Sequence, residues 1–131
     1  MRMGLFMFMI STGILSAMIS GNGGTMSPAY SETDKVCALT FDDGPDADLT
    51  PRVLDRLEKH GIVATFFVIG GLINDNTGKI ITRAAKSGCE IQNHSWGYES
   101  MSAMSCEEIR ESVEKTSAEI QKYSGKAPIF F

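Results

Sequence analysis

Three glycines, Gly61, Gly88 and Gly125, each close a stretch with helical apolar spacing and stand shortly before a run that reads as a strand. That punctuation constrains the fold more than any other feature, because it writes β-α-β-α-β-α-β. Val36–Phe41 reads as the first strand. Thr50-Pro51 reads as an N-cap followed by proline at the first helical position. Val53, Leu54 and Leu57 give that helix its apolar face, and Gly61 stops it. Ile62–Ile69, rich in β-branched and aromatic residues, is expected to be a second, buried strand, broken by Gly70-Gly71. Ile80, Ile81, Ala84 and Ala85 share a face of the next helix, which ends at Gly88 before a short strand, Cys89–Asn93. Ser105-Cys106-Glu107-Glu108 forms a capping box, and the helix it opens carries Ile109, Val113 and Ile120 on its inner stripe. Pro128-Ile129-Phe130-Phe131 begins a fourth strand.

Strands alternating with helices imply an α/β fold with a parallel sheet and right-handed crossovers. A length of 131 residues allows one small domain at most. Four strands ending on Phe130-Phe131 leave an apolar edge uncovered. The chain therefore reads as the first half of a larger, barrel-like domain.

The first thirty residues differ in kind. Arg2 precedes an uncharged run from Met3 to Ile19, interrupted only by Gly4, Ser11, Thr12, Gly13 and Ser16. Gly, Asn, Ser and Pro dominate from Ser20 to Ser31. This is the layout of a secretory signal peptide, with cleavage expected between Ala17 and Gly24. Residues 1–24 are assigned to it, 25–33 to a linker and 34–131 to the folded domain. A retained anchor is the alternative, although the interruptions make a weak membrane span. The expectation is a secreted or cell-envelope protein with no stable membrane span after cleavage.

Twelve basic against sixteen acidic residues give a net charge of −4, with no basic tract. Nucleic acid is not an expected partner. Cys37, Cys89 and Cys106 fit neither a paired framework nor a close-spaced zinc motif. Cys37 and Cys89 are expected to be small buried core residues, and Cys106 falls in the first turn of a helix. The Met residues cluster around the leader and carry no cofactor message.

Asp42-Asp43, between Phe41 and Gly44-Pro45, stands at the end of the first strand. An acidic pair there is costly, since like charges repel and desolvation opposes ionisation. It is either a surface turn, as Asp-Gly often is, or a site where one carboxylate holds a cation and the other takes a proton from water. Asn93-His94-Ser95-Trp96-Gly97-Tyr98 follows the third strand in the same way. Functional groups of parallel α/β folds gather at the carboxyl ends of strands, so Asp42, Asp43 and His94 are expected on one rim. Imidazole and carboxylate together suit a divalent Zn, Co, Ni or Mn ion.

These segments resemble the polysaccharide deacetylase family (the NodB-homology domain, carbohydrate esterase family 4). Thr40-Phe41-Asp42-Asp43-Gly44-Pro45 is similar to its first motif, and Asn93-His94-Ser95 to the opening of its second, His-Ser/Thr-x-x-His. Ala64-Thr65-Phe66-Phe67-Val68 and Gly125-Lys126-Ala127-Pro128 resemble the family's second strand and the approach to its third motif. The resemblance covers about residues 34 to 131. It implies a distorted (β/α) barrel, here incomplete, and a metal-dependent hydrolase that removes acetyl groups from polysaccharide. By position Asp42 would be the general base, and Asp43 and His94 the metal ligands.

Two departures follow from the same comparison. Tyr98 stands where the second histidine of that motif would be, and a phenol with pKa about 10 is a poor ligand near neutrality. Acetyl xylan esterase-like members carry an aromatic residue there and leave the position to water. Trp96 and Tyr98 are candidates for contact with sugar, with packing the competing role for each. The family's later motifs, including its general-acid histidine, do not occur in these residues. His60 sits at a helix end before Gly61, where its charge would suit the dipole. Acetylated polysaccharide is the expected partner: O-acetyl xylan, or N-acetylglucosamine polymers such as chitin and peptidoglycan. Little acetate release is expected from these residues alone. The alternatives are an inactive carbohydrate-binding remnant of the same fold and a phosphate-binding domain using Gly70-Gly71, whose spacing supports it weakly.

Overall fold

The computed structural model describes residues 5–8 and 35–131. The rest of the expected leader and the linker lie outside the described residues. Strand β1 (Leu5–Phe8) pairs antiparallel with β2 (Ala38–Gly44), Leu5 opposite Phe41 and Phe8 opposite Ala38. Strands β3 (Thr65–Val68) and β4 (Glu90–Asn93) continue the sheet in parallel, in the order β1-β2-β3-β4. Helix α1 (Leu49–His60) connects β2 to β3, α2 (Asp75–Lys86) connects β3 to β4, and α3 (Cys106–Ser124) follows β4. The expected alternation and parallel sheet are present. Among the described residues no helix is long and apolar enough to cross a membrane.

One face of the sheet meets all three helices. Leu54 and Leu57 from α1, Ile81 and Ala84 from α2 and Ile120 from α3 close over Phe66, Val68 and Ile91. Phe41 stacks on Phe66 with ring centroids 5.2 Å apart. Leu54 and Ile120 are wholly buried, so truncating either to alanine is expected to cost about 2–5 kcal/mol. In β3 only the alternate residues Phe66 and Val68 are buried, while Thr65 and Phe67 are half-buried. The expected buried run Ile62–Ile69 is thus too long. Ile62 and Val63 are 49% and 59% exposed, because they form the turn leaving α1 rather than strand.

Helix ends follow local chemistry. Gly61 and Gly125 take left-handed φ of 62° and 79° as C-caps, where a Cβ would be strained. Ser105 and Glu108 form the expected capping box. Asn74 forms another with Thr77 at the start of α2. Thr50 is not the cap of α1. The helix starts at Leu49, two residues earlier than expected, and Asp46 Oδ1 accepts from the Asp48 and Leu49 amides at 2.9 and 2.7 Å. Thr50 Oγ1 instead accepts the Asp46 amide at 2.9 Å. Those two backbone bonds hold the Asp46 carboxyl below its ordinary range.

Three further expectations change. Cys37 is exposed, since β2 begins one residue after it, whereas Cys89 is buried and Cys106 starts α3 as expected. The buried stripe of α3 is Ser112, Thr116 and Ile120, while Ile109 and Val113 are only half-buried. The segment Pro128-Ile129-Phe130-Phe131 lies beside β4 without being a strand. Phe130 O accepts from Asn93 N, but the amides of Ile129 and Phe130 both donate to the Gln92 side chain rather than to the β4 backbone.

Candidate functional site

Asp42 and Asp43 occupy an irregular stretch of β2. Phe41 is opposite Phe66 and Gly44 is opposite Val68, so two residues of β2 face the single residue Phe67 of β3. This is the count of a β-bulge, which re-aims side chains. Asp43 has φ 67°, in the left-handed region that aspartate tolerates better than most residues. Both carboxylates are half-buried at the carboxyl end of the sheet.

His94 follows β4 directly. Its amide donates to Val68 O at 2.9 Å, extending the ladder by one step. Ser95 then turns left-handed at φ 64° and ends the strand direction. The imidazole lies edge-on to Phe67, centroids 6.3 Å apart. Its Nε2 reaches to 3.4 Å from Asp43 Oδ1. The fold thus brings the bulge of β2 and the end of β4 together across β3, as expected.

The pair fits a divalent cation. A separation of 3.4 Å is close to the edge, roughly 3.3 Å, of a tetrahedron with metal–ligand bonds of about 2.0–2.1 Å. The side chains are 32% and 42% exposed, which leaves one side of the pair open to solvent. Among the described residues no group of three or more His, Cys, Asp or Glu is placed to hold a metal. Among the described residues the pair that meets at this point is thus one carboxylate and one imidazole.

Tyr98 is 63% exposed. Partial desolvation and the Asp43 charge both push its phenol above 10, so it is neutral at pH 7. Trp96 is half-buried and wedged behind the rim. Its carbonyl accepts the Gly71 amide at 2.8 Å, and its amide donates to Ser112 Oγ at 2.8 Å. Lys115 Nζ covers its ring, 3.7 Å from the centroid. His60 ends α1 at the opposite end of the sheet and does not join the rim.

In the sequence Asn93 stands only as the first residue of the segment that resembles the second motif, with no role of its own. It is 2% exposed, and its side chain links β4, the loop after His94 and α3. A buried amide in a four-residue strand was the available signal.

A sequence model of the family described as polysaccharide deacetylase matches residues 29–131. The chain belongs to that family. A bifunctional xylanase/deacetylase from Pseudobutyrivibrio xylanivorans is 42% identical over 112 residues, covering 86% of this chain and 18% of that protein. A peptidoglycan-N-acetylglucosamine deacetylase from Listeria monocytogenes is 37% identical over 97 residues, covering 74% of this chain and 21% of that protein. Among solved structures, a family 4 acetyl xylan esterase from Clostridium thermocellum, in complex with a cobalt ion, is 56% identical with a TM-score of 0.68. The match covers 70% of this chain and 44% of that esterase. The chain thus spans about a fifth of the curated relatives and less than half of the solved esterase. With those neighbours the described fold is an arc of the (β/α) barrel of polysaccharide deacetylases.

Proposed function

We propose that this chain carries the base and two metal donors of a hydrolase that removes acetyl groups from polysaccharide. The observation that supports this most is the 3.4 Å approach of Asp43 Oδ1 to His94 Nε2 at the carboxyl ends of two strands. A divalent cation, whether Zn, Co, Ni or Mn, would supply Lewis-acid chemistry there. Asp43 and His94 would hold it, with solvent at the position Tyr98 leaves unfilled. Asp42, on the same bulge, would take the proton of the water that adds to the acetyl carbonyl. Among the described residues no second histidine reaches the rim as a general acid.

O-acetyl xylan is the substrate we favour over N-acetylglucosamine polymers. The aromatic residue at position 98 and the 56% identity to an acetyl xylan esterase support that choice. Trp96 and Tyr98 are the aromatic candidates for sugar contact, Tyr98 being the more accessible. An exported location, expected from the Arg2–Ile19 segment of the sequence, would bring the site to such polymers. A second reading, a carbohydrate-binding remnant without turnover, is favoured by the lack of a third donor beside Asp43 and His94 among the described residues.

Binding and turnover separate the readings. Cobalt or zinc titrations should show one site, lost in Asp43→Ala and in His94→Ala; a chain that binds neither ion defeats the metal reading. Acetate release from acetyl-xylan that disappears in Asp42→Asn supports the enzyme. Oligosaccharide binding with no acetate release supports the remnant.

A further inference from the structure

We infer that Asn93 is a positioning residue for His94, acting through the loop that follows it; the inference rests on the reading of His94 as a metal donor. A buried polar side chain is tolerated when its hydrogen bonds are made. Asn93 makes three of the four hydrogen bonds its amide can make, both donors included. Nδ2 donates to Val113 O at 2.8 Å and to Ser117 Oγ at 2.9 Å, both on α3. Oδ1 accepts the Ser95 amide at 2.8 Å. The side chain is therefore a strut between a helix and the residue immediately after His94.

The bond to Ser95 matters because of what that residue does. Its φ of 64° turns the chain out of the β4 direction just after His94. A side-chain acceptor two residues back stabilises such a turn in the manner of an Asx turn. Two further contacts fix the rest of the loop: Gly70 N donates to Ser95 O at 2.9 Å, and Trp96 N donates to Ser112 Oγ at 2.8 Å. With the turn held, the imidazole Nε2 stays directed at Asp43. Groups that orient a metal donor in this way govern affinity although they never touch the ion.

The test uses the full 131-residue chain and two readouts. The first is the cobalt(II) binding isotherm together with the visible absorption of bound cobalt. The second, made without metal, is the NMR cross-relaxation between the His94 and Phe67 rings. Asn93→Ala is expected to weaken cobalt binding by about 10- to 100-fold, alter the absorption and remove the His94–Phe67 contact. Ser117→Ala, which leaves Asn93 its bond to Val113 O, should give a smaller loss in the same direction and serves if Asn93→Ala does not fold. Ile81→Val, a core change away from the loop, should alter neither readout. An Asn93→Ala or Ser117→Ala chain with wild-type affinity and an intact ring contact overturns the inference. If the wild-type chain binds no cobalt, the metal reading fails, and the ring contact alone decides: its loss in the variants supports positioning, its retention overturns it.

Discussion

Asp43 and His94 meet at 3.4 Å although they leave strands separated by β3. A bulge turns the first toward the rim, and a left-handed Ser95 ends the strand behind the second. Each is therefore held by backbone geometry rather than by a long flexible stem. On the proposed reading of both as metal donors, removing either one should be severe. His94→Ala is expected to lower zinc affinity by on the order of 100-fold or more, beyond the loss of an outer partner. Competition against a chromophoric chelator measures it, and a loss below about fivefold would place the ion elsewhere.

Tyr98 gives the opposite experiment. Its phenol stays protonated at neutral pH and is largely exposed. Tyr98→Phe should leave zinc affinity unchanged within about twofold, since a neutral phenol contributes little as a ligand. Tyr98→His should raise affinity by about tenfold or more by offering a third protein donor. Equal affinities for all three chains would show that position 98 does not face the ion.

Much of this arrangement is legible in the sequence. Gly61 and Gly125 marked helix ends because only left-handed φ suits those positions, and the Ser105 box marked a start. The rim was legible because parallel strands send Asp43 and His94 to the same end. The bulge was not, since it arises from pairing with β3 and leaves no trace in β2 alone. The cap of α1 was misread because Asp46, Asp48 and Thr50 all carry capping oxygens within one turn, and only the chain path shows which reaches the amides. The α3 stripe was displaced because Ser112 and Thr116 face the Gly70 turn and Trp96, where hydroxyls and small volumes fit better than Ile109 or Val113.

Acid should destabilise the fold through three carboxylates. Asp46 is lowered from 3.8 by its two backbone bonds. Glu58 is lowered from 4.5 by Arg83 and then Ser87. Glu108 is lowered from 4.5 by the Ser105 amide. A group depressed in the folded state contributes stability above its unfolded pKa and loses it as pH falls through the folded one. Stability measured by urea unfolding is thus expected to be flat in these groups above about pH 5 and to fall below about pH 4.5. Asp46→Asn should make that fall shallower, and an unchanged slope would remove Asp46 from the account. The effect of each is small, because all three are solvent-facing.

Gly70 sits where no side chain fits. A Cβ there would meet Thr116 Oγ1 and come within 2.6 Å of Trp96 Cε3 and 3.0 Å of Thr116 Cα. Gly70→Ala is expected to destabilise by about 1–3 kcal/mol, the usual cost of overpacking. Because Trp96 belongs to the His94 loop, its fluorescence should shift as well. A variant of wild-type stability and emission would mean that the loop relaxes freely.

The same contact point supplies the sharpest stability test. Thr116 is wholly buried and its Oγ1 has no hydrogen-bond partner among the described residues. An unpaired buried hydroxyl costs free energy, and replacing it with a methyl group of like size removes that cost. Both side chains are β-branched, so helix propensity barely changes. Thr116→Val is therefore expected to raise stability by about 1 kcal/mol, read as a higher urea midpoint at unchanged slope. Thr116→Ser keeps the hydroxyl and opens a cavity, and should lower it. If valine instead destabilises the chain, the hydroxyl is paired in solution, and the seam between α3 and the Gly70 turn is held by a polar contact rather than by packing.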